Sequence, residues 1–115
     1  MGITLTEGYF TNEQEALAEI ADRGWHAVTF DVPAQEEEMH WHDFDAVVYV
    51  LNGTARTELA DGGVLQCGTG ARIEATAGVL HGGASSAYRA VFGFDVDPAE
   101  MTQPINKPGV PSSAN

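Results

Sequence analysis

Short runs of strand-forming residues, separated by glycine-containing turns, fill most of the chain after residue 24 and constrain its fold more than any other feature. The predicted strands cover residues 25–32, 39–51, 54–60, 64–67, 71–75 and 88–95, and the polar residues 34–38 form a loop or the entry to a strand. Many short strands joined by such turns are typical of a β-sandwich or β-barrel. We therefore expect an all-β fold.

One segment has helical periodicity, and it precedes these strands. Asn12 is a good N-cap, Glu15 completes a capping box three residues later, and Gly24 is a suitable stop. Between them, apolar side chains share one face at helical spacing: Leu17, Ile20 and Ala21. The sequence therefore predicts one short N-terminal α-helix over about residues 12–23.

The run over residues 47–51 (VVYVL) is apolar at every position, and Asn52-Gly53 follows it. A strand with one face in water would alternate between apolar and polar residues. We therefore expect both faces of this strand to be covered, one by the interior and the other by a second copy of the chain in a homodimer. An Asn-Gly pair between two strand-like runs also predicts a β-hairpin.

Length and proline content indicate where the folded unit ends. The chain has 115 residues, which is enough for one domain with its own core. Pro104, Pro108 and Pro111 lie in a polar C-terminal segment. We expect a single domain over residues 1–97, with a barrel over about 25–97, and an extended or disordered C-terminal arm over 98–115.

Charge and composition exclude several classes of partner. Seventeen acidic residues against five basic ones give a net charge of −12, which disfavours binding to nucleic acid and to anionic membrane surfaces. No stretch of about 18 apolar residues predicts a membrane span, and the first residues lack the pattern of a signal peptide. Cys67 is the single cysteine, so no internal disulfide is expected. We therefore expect a cytoplasmic protein that binds a small-molecule substrate or ligand.

Three of the four histidines form the main candidate site. His40 and His42 are one residue apart, and alternate side chains of a strand point to the same face. His81 closes a glycine-containing stretch further along the chain. Neutral imidazoles that meet in one space bind divalent metals well, so these three residues are the candidate metal ligands.

The segment over residues 40–53 (HWHDFDAVVYVLNG) resembles the first motif of the cupins, which has two histidines one apart followed by a glutamate and a glycine at set distances. The second cupin motif is matched more loosely, at Gly70, Thr76, Gly78, His81 and Ser85. The resemblance covers about residues 34–95 and implies a cupin (jelly-roll) double-stranded β-barrel. It also implies a divalent transition metal on His40, His42 and His81, with iron, zinc, nickel, manganese and copper all suitable.

Four positions depart from the cupin motifs, and one of them alters the expected site. Ala34, Thr76 and Ser85 replace a glycine, a proline and an asparagine at turn and scaffold positions. Ala46 replaces the glutamate that is usually a metal ligand in this family. We therefore expect a site with three histidines and no carboxylate in the usual place.

Several residues near the histidines have both a structural and a functional interpretation. Strand alternation points Asp45 away from the site unless a bulge turns it, and His26 is either a further ligand or an ordinary core or surface residue. Among the inward positions, only Glu74 is a candidate base. The same two interpretations apply to the acidic residues beside the histidines and to two aromatic residues of the last strand: Glu37, Glu38, Asp43, Phe92 and Phe94.

The resemblance implies two classes of function. The first is a metal-dependent enzyme that oxygenates a small organic molecule, as three-histidine cupin dioxygenases do, or that isomerises or cyclises an enolisable carbonyl compound. Neutral ligands leave the ion its full charge, which favours an anionic or enolate-like substrate. The alternative is a non-catalytic module that binds a small molecule or a metal, with a metal site that is either intact or degenerated together with the glutamate.

Overall fold

A computed structural model describes residues 2–109, so the end of the predicted arm, 110–115, lies outside the described residues. Within residues 2–109 the chain forms nine β-strands, one α-helix and one 3-10 turn. In chain order these are β1 (Ile3–Thr6), α1 (Glu13–Asp22), β2 (His26–Val32), β3 (Gln35–His40), β4 (Ala46–Gly53), β5 (Ala55–Leu59), β6 (Val64–Cys67), β7 (Arg72–Ala75), β8 (His81–Ser85), β9 (Tyr88–Phe94) and the 3-10 turn (Pro98–Glu100).

The strands form two antiparallel sheets. Sheet A has the strand order β1-β7-β4-β9-β2, and sheet B has the order β3-β8-β5-β6. Residues from both sheets are buried together between them, among them Val50, Ala55 and Ile73. This two-sheet arrangement confirms the expected β-rich class, with the short helix placed between β1 and β2.

The hairpin expected at Asn52-Gly53 is wrong. The strands on either side, β4 and β5, belong to different sheets, so the chain crosses from sheet A to sheet B at this point. Gly53 has a φ of +88°, and a Cβ at this position would lie 2.6 Å from the backbone oxygen of Ala87. The Asn-Gly pair therefore marks a tight turn but does not join paired strands. The glycine pair at 62 and 63 does join a hairpin, between β5 and β6.

The long strand expected over residues 39–51 is also wrong, because the chain forms two strands there. β3 ends at His40, β4 begins at Ala46, and the polar residues before His40 belong to β3. Two strands, β1 and β8, were not predicted. The β8 sequence, HGGAS, contains two glycines and no apolar alternation, and its pairing with β3 and β5 stabilises it instead.

The helix α1 begins and ends close to the predicted residues. The Oδ1 atom of Asn12 accepts a hydrogen bond from the Glu15 backbone N–H at 2.9 Å, as an N-cap does. Ala16 and Ile20 are fully buried, whereas Leu17, which was expected on the buried face, is 37% exposed. Within residues 2–109, no helix is long and apolar enough to span a membrane.

The outer face of β4 is covered by this helix. Val47 and Tyr49 are fully buried there, in one cluster with Ile20 of α1 and with Phe10. The apolar run over 47–51 therefore finds its second cover within the same chain. The homodimer that this run suggested stays a prediction.

A polar network lies within this outer layer. The Tyr49 hydroxyl donates to the Glu19 carboxylate and accepts from Arg72 Nε at 3.3 Å. Arg72 Nε also donates to Glu19 at 3.2 Å, and its Nη1 donates to Glu74 at 3.1 Å. Arg72 is only 7% exposed, so its charge is paired in a largely buried position. The network fixes α1 on sheet A.

Candidate metal centre

The three candidate histidines come from two paired strands and from the link after one of them. His40 ends β3, His81 begins β8, and the two are partners in the register of sheet B. His42 lies in the link between β3 and β4, not on a strand with His40 as expected. The pairing of β3 with β8 thus brings together histidines that are far apart in the sequence.

The three rings lie close together. The ring centroids are 4.5 Å apart for His40 and His81, 5.0 Å for His40 and His42, and 5.1 Å for His42 and His81. One ring nitrogen of each lies within 4.8 Å of the others. Among residues 2–109 this is the one group of three His, Cys, Asp or Glu side chains with ligand atoms so close. The geometry therefore brings together the three residues that the sequence singled out.

The backbone fixes which nitrogen of each ring is available. Each Nδ1 lies at hydrogen-bond distance from a carbonyl oxygen: His40 at 2.8 Å from Glu38, His42 at 2.9 Å from Ile105 and His81 at 3.1 Å from Val79. A carbonyl oxygen only accepts, so each Nδ1 carries the proton and each Nε2 keeps its lone pair. In metal-binding histidines generally, the ring nitrogen that does not bind the metal often donates to a backbone carbonyl, which fixes the orientation of the ring. The donor set fits a divalent transition metal.

Burial favours the neutral form of two of these rings, His42 and His81. Burial, with smaller contributions from the neighbouring imidazoles and against the opposing hydrogen bond to Val79, lowers the pKa of His81 to about 4. Burial is also the largest cause of the lowered pKa of His42. Neutral imidazole is the form that binds metals, so these two rings are ready to bind a metal near pH 7 without losing a proton.

The histidines line a cavity of about 360 Å³ between the two sheets. A row of aromatic rings forms part of its wall: Phe30 stacks on Phe92 with centroids 4.5 Å apart, and Phe94 continues the row at 6.2 Å. Phe44 meets the edge of Phe94 and stacks on His42 at 4.9 Å. Flat rings beside the histidine nitrogens make a suitable wall for a small planar molecule.

One carboxylate lines this cavity among the described residues, and it belongs to Glu37. The sequence left Glu37 open between a solvated and a functional position. Glu74, the one candidate base among the inward positions, does not line the cavity, and its carboxylate accepts hydrogen bonds from Arg72 and Arg23, each at 3.1 Å. Two consecutive glycines in β8, opposite this part of β3, are the sequence signal for irregular pairing here.

The two residues that the sequence left open as further ligands lie elsewhere. His26 is exposed at the start of β2 and is not part of the histidine group. Asp45 accepts a hydrogen bond from the Ala77 backbone N–H at 2.7 Å, which ties two loops together. Neither residue supplies a ligand atom to the group of three.

The C-terminal segment takes part in the site. Trp41 and Lys107 form an antiparallel bridge with backbone hydrogen bonds of 3.0 and 2.9 Å. This bridge holds the Ile105 carbonyl against Nδ1 of His42. Sequence reasoning missed this contribution, because a proline-rich segment carries no periodic signal that points to a partner.

Comparison with known proteins shows the fold. No family model matches the chain. No curated protein matches it. Among solved structures, the chain is similar to the polyketide cyclase RemF from Streptomyces resistomycificus, with a TM-score of 0.57, 22% identity and coverage of 76% of this chain and 63% of that one.

Two further structures extend this likeness. An RmlC-like cupin from Shewanella frigidimarina gives a TM-score of 0.52 at 19% identity, with 65% of this chain and 69% of that one covered. A DUF861-family protein of unknown function from Pseudomonas syringae gives a TM-score of 0.55 at 15% identity, with 61% of this chain and 30% of that one covered. The chain therefore spans under a third of the Pseudomonas protein and less than two thirds of RemF. These likenesses show that the chain has the cupin fold.

Proposed function

We propose that this protein binds a divalent transition metal through His40, His42 and His81 and is an enzyme that acts on a small planar carbonyl compound. The observation that carries the proposal is the arrangement of the three imidazoles. Each has its Nδ1 bound to a backbone carbonyl, so that three Nε2 lone pairs remain at an apolar cavity. Backbone groups that orient three rings in this way favour a built ligand set over three wall residues.

The lining of the cavity supports the proposed kind of substrate. A divalent cation at the three histidines would supply a Lewis acid that attracts a carbonyl or enolate oxygen and stabilises negative charge on it. The row of Phe30, Phe92 and Phe94 would hold the planar part of the molecule and exclude water around it. Isomerisation or cyclisation of an enolisable carbonyl compound fits these two features. The similar fold of a polyketide cyclase supports the same choice.

Metal titration tests the ligand assignment. We expect His40→Ala, His42→Ala and His81→Ala each to weaken zinc binding by about a hundredfold, or about 2.7 kcal/mol, in calorimetric titration of metal-free protein purified without a histidine tag. His26→Ala is the matched control, since His26 is exposed and outside the group, and it should bind as the natural protein does. Equal losses in the control, or tight binding in all three variants, would contradict the assignment.

Ligand screening tests the enzymatic part. Zinc- and iron-loaded protein is incubated with planar diketones and polyphenolic ketones, and products are followed by mass spectrometry together with oxygen uptake. Rearranged or cyclised product without oxygen uptake supports the proposal, whereas oxygen uptake assigns the oxygenase class instead. A rise in melting temperature without any product identifies the non-catalytic binding module.

A further inference from the structure

A β-bulge turns Glu37 into the cavity. The register between β3 and β8 shifts between Glu37 and His40, so one extra residue lies in β3. Strict alternation would put these two residues on opposite faces, but the bulge places both in the lining of the cavity. Gly82 makes room for it, because a Cβ there would lie 2.8 Å from the Glu38 carbonyl oxygen.

The carboxylate of Glu37 is held with one oxygen towards the histidines. Its Oε2 accepts a hydrogen bond from Asn106 Nδ2 at 3.1 Å, and its Oε1 lies 4.0 Å from Nε2 of His40. Its neighbours Glu36 and Glu38 are exposed, whereas Glu37 is half-buried. One oxygen of the Glu37 carboxylate thus lies beside Nε2 of His40, the nitrogen that faces the cavity. The negative charge of this carboxylate would stabilise a cation bound at the three histidines.

The negative charge that a metal site needs also points to Glu37. Three neutral imidazoles contribute no negative charge to a bound divalent cation, and position 46, which lines the same cavity, offers only the methyl group of Ala46. Among residues 2–109, Glu37 is the one acidic side chain in the cavity lining. It lies beside the three histidine nitrogens rather than within their group.

We propose that Glu37, turned inward by the β3 bulge and held by Asn106, supplies the negative charge of the metal site in place of a carboxylate at position 46. This inference rests on the metal binding proposed above. It assigns Glu37 as a charge-compensating residue, and it gives the C-terminal segment a second task, since Asn106 belongs to that segment.

Zinc affinity of matched variants tests the inference. We expect Glu37→Gln to bind zinc about tenfold more weakly than the natural protein, since the loss of a polar group next to metal ligands has an effect of this order. Glu36→Gln removes the same charge one residue away on the exposed face and should change the affinity by less than about twofold. Asn106→Ala should weaken binding by a smaller factor than Glu37→Gln. Far-ultraviolet circular dichroism of each metal-free variant verifies that the fold is retained.

A double variant sharpens the test. Ala46→Glu added to Glu37→Gln should restore zinc affinity to near the natural value, because a carboxylate again faces the three histidines. Equal zinc affinity in Glu37→Gln, Glu36→Gln and the natural protein would overturn the inference, as would a double variant no tighter than Glu37→Gln alone. If the histidine variants retain zinc, the ligand assignment itself fails. If they lose zinc and Glu37→Gln does not, only the role of Glu37 fails.

Discussion

Two polar clusters, an outer one on the face of sheet A under α1 and an inner one at the cavity between the two sheets, differ in how completely their polar groups are paired. In the outer cluster, Tyr49, Glu19 and Arg72 bond to one another. In the inner cluster, each histidine has one nitrogen bound to the backbone and the other left towards the cavity. A closed network is built to stabilise the fold, whereas lone pairs kept open at a cavity are available to a ligand.

The two clusters also differ in the electrostatic effect of burial. On the outer face, burial and the Glu19 hydrogen bond raise the pKa of Tyr49 to about 12, so the hydroxyl stays protonated and keeps donating. In the inner cluster, burial is the largest cause that lowers the pKa of His81 to about 4, so its ring is neutral. The outer cluster thus holds its protons and charges in fixed pairs, while the inner one leaves ring nitrogens open towards the cavity.

The largest effect is expected from breaking the outer cluster. Arg72→Met leaves Glu19 and the Tyr49 hydroxyl without their buried partner and should lower the free energy of unfolding by about 3 kcal/mol, measured by urea denaturation. Zinc affinity should stay unchanged, because Arg72 lies on the other face of the sheet from the cavity. Arg89→Met is the control: Arg89 is exposed beside Asp31, and its loss should cost no more than about 0.5 kcal/mol. Equal destabilisation by both variants would contradict a structural role for the network.

A smaller effect, in the opposite direction, is expected in the inner cluster. Ala46→Glu in the natural background adds a carboxylate to the cavity and should tighten zinc binding by about tenfold, or about 1.4 kcal/mol. The metal-free variant should be less stable than the natural protein, because the charge lies among apolar side chains. Ala46→Gln is of similar size without the charge and should not tighten binding. Calorimetric titration measures all three proteins, and an unchanged affinity in Ala46→Glu would show that position 46 does not face the ion.

The smallest effect concerns the pH dependence of the outer cluster. Burial raises the pKa of Glu19, but the hydrogen bonds from Tyr49 and Tyr9 and the charge of Arg72 lower it more, so its pKa lies below the ordinary value. A carboxylate whose pKa is lowered on folding stabilises the protein above its unfolded pKa, and this contribution disappears as the pH falls through the folded value.

Stability should therefore fall between about pH 5 and pH 3 more steeply in the natural protein than in Glu19→Gln. The difference is small because the Glu19 side chain is 34% exposed and partly screened by solvent. Urea unfolding of both proteins across this range measures it. Parallel pH profiles of the two proteins would show that Glu19 does not contribute to the pH dependence of stability.

Local patterns in the sequence were sufficient to predict the strands that are rich in strand-forming residues and the helix with its N-cap. Asn12 and Glu15 identified the start of α1 because a cap depends only on neighbouring residues. The strand β8 could not be predicted, since its glycines give no side-chain pattern and the strands that pair with it are distant in the sequence. Asn52-Gly53 was misread as a hairpin, because a tight turn at these residues does not reveal whether the following strand pairs back or crosses to another sheet.

The spacing of the motifs predicted only the histidines of the candidate site. His40, His42 and His81 meet as expected, but neither the inward position of Glu37 nor the contact of Ile105 could be predicted. Glu37 enters the cavity because of a bulge, and alternation counted from His40 gives the wrong face once an extra residue is present. The Ile105 contact uses a backbone carbonyl, a group that every residue has, so its identity leaves no trace in the sequence.

X-ray absorption at the zinc edge of the zinc-loaded natural protein tests the central claim most directly. We expect three imidazole nitrogens at about 2.0–2.1 Å from the ion, together with the scattering from the more distant ring atoms that is typical of histidine ligands. The double variant His40→Ala with His81→Ala should lose this pattern. A shell made only of oxygen atoms, or the same histidine pattern in the double variant, would show that zinc binds elsewhere and would contradict the account.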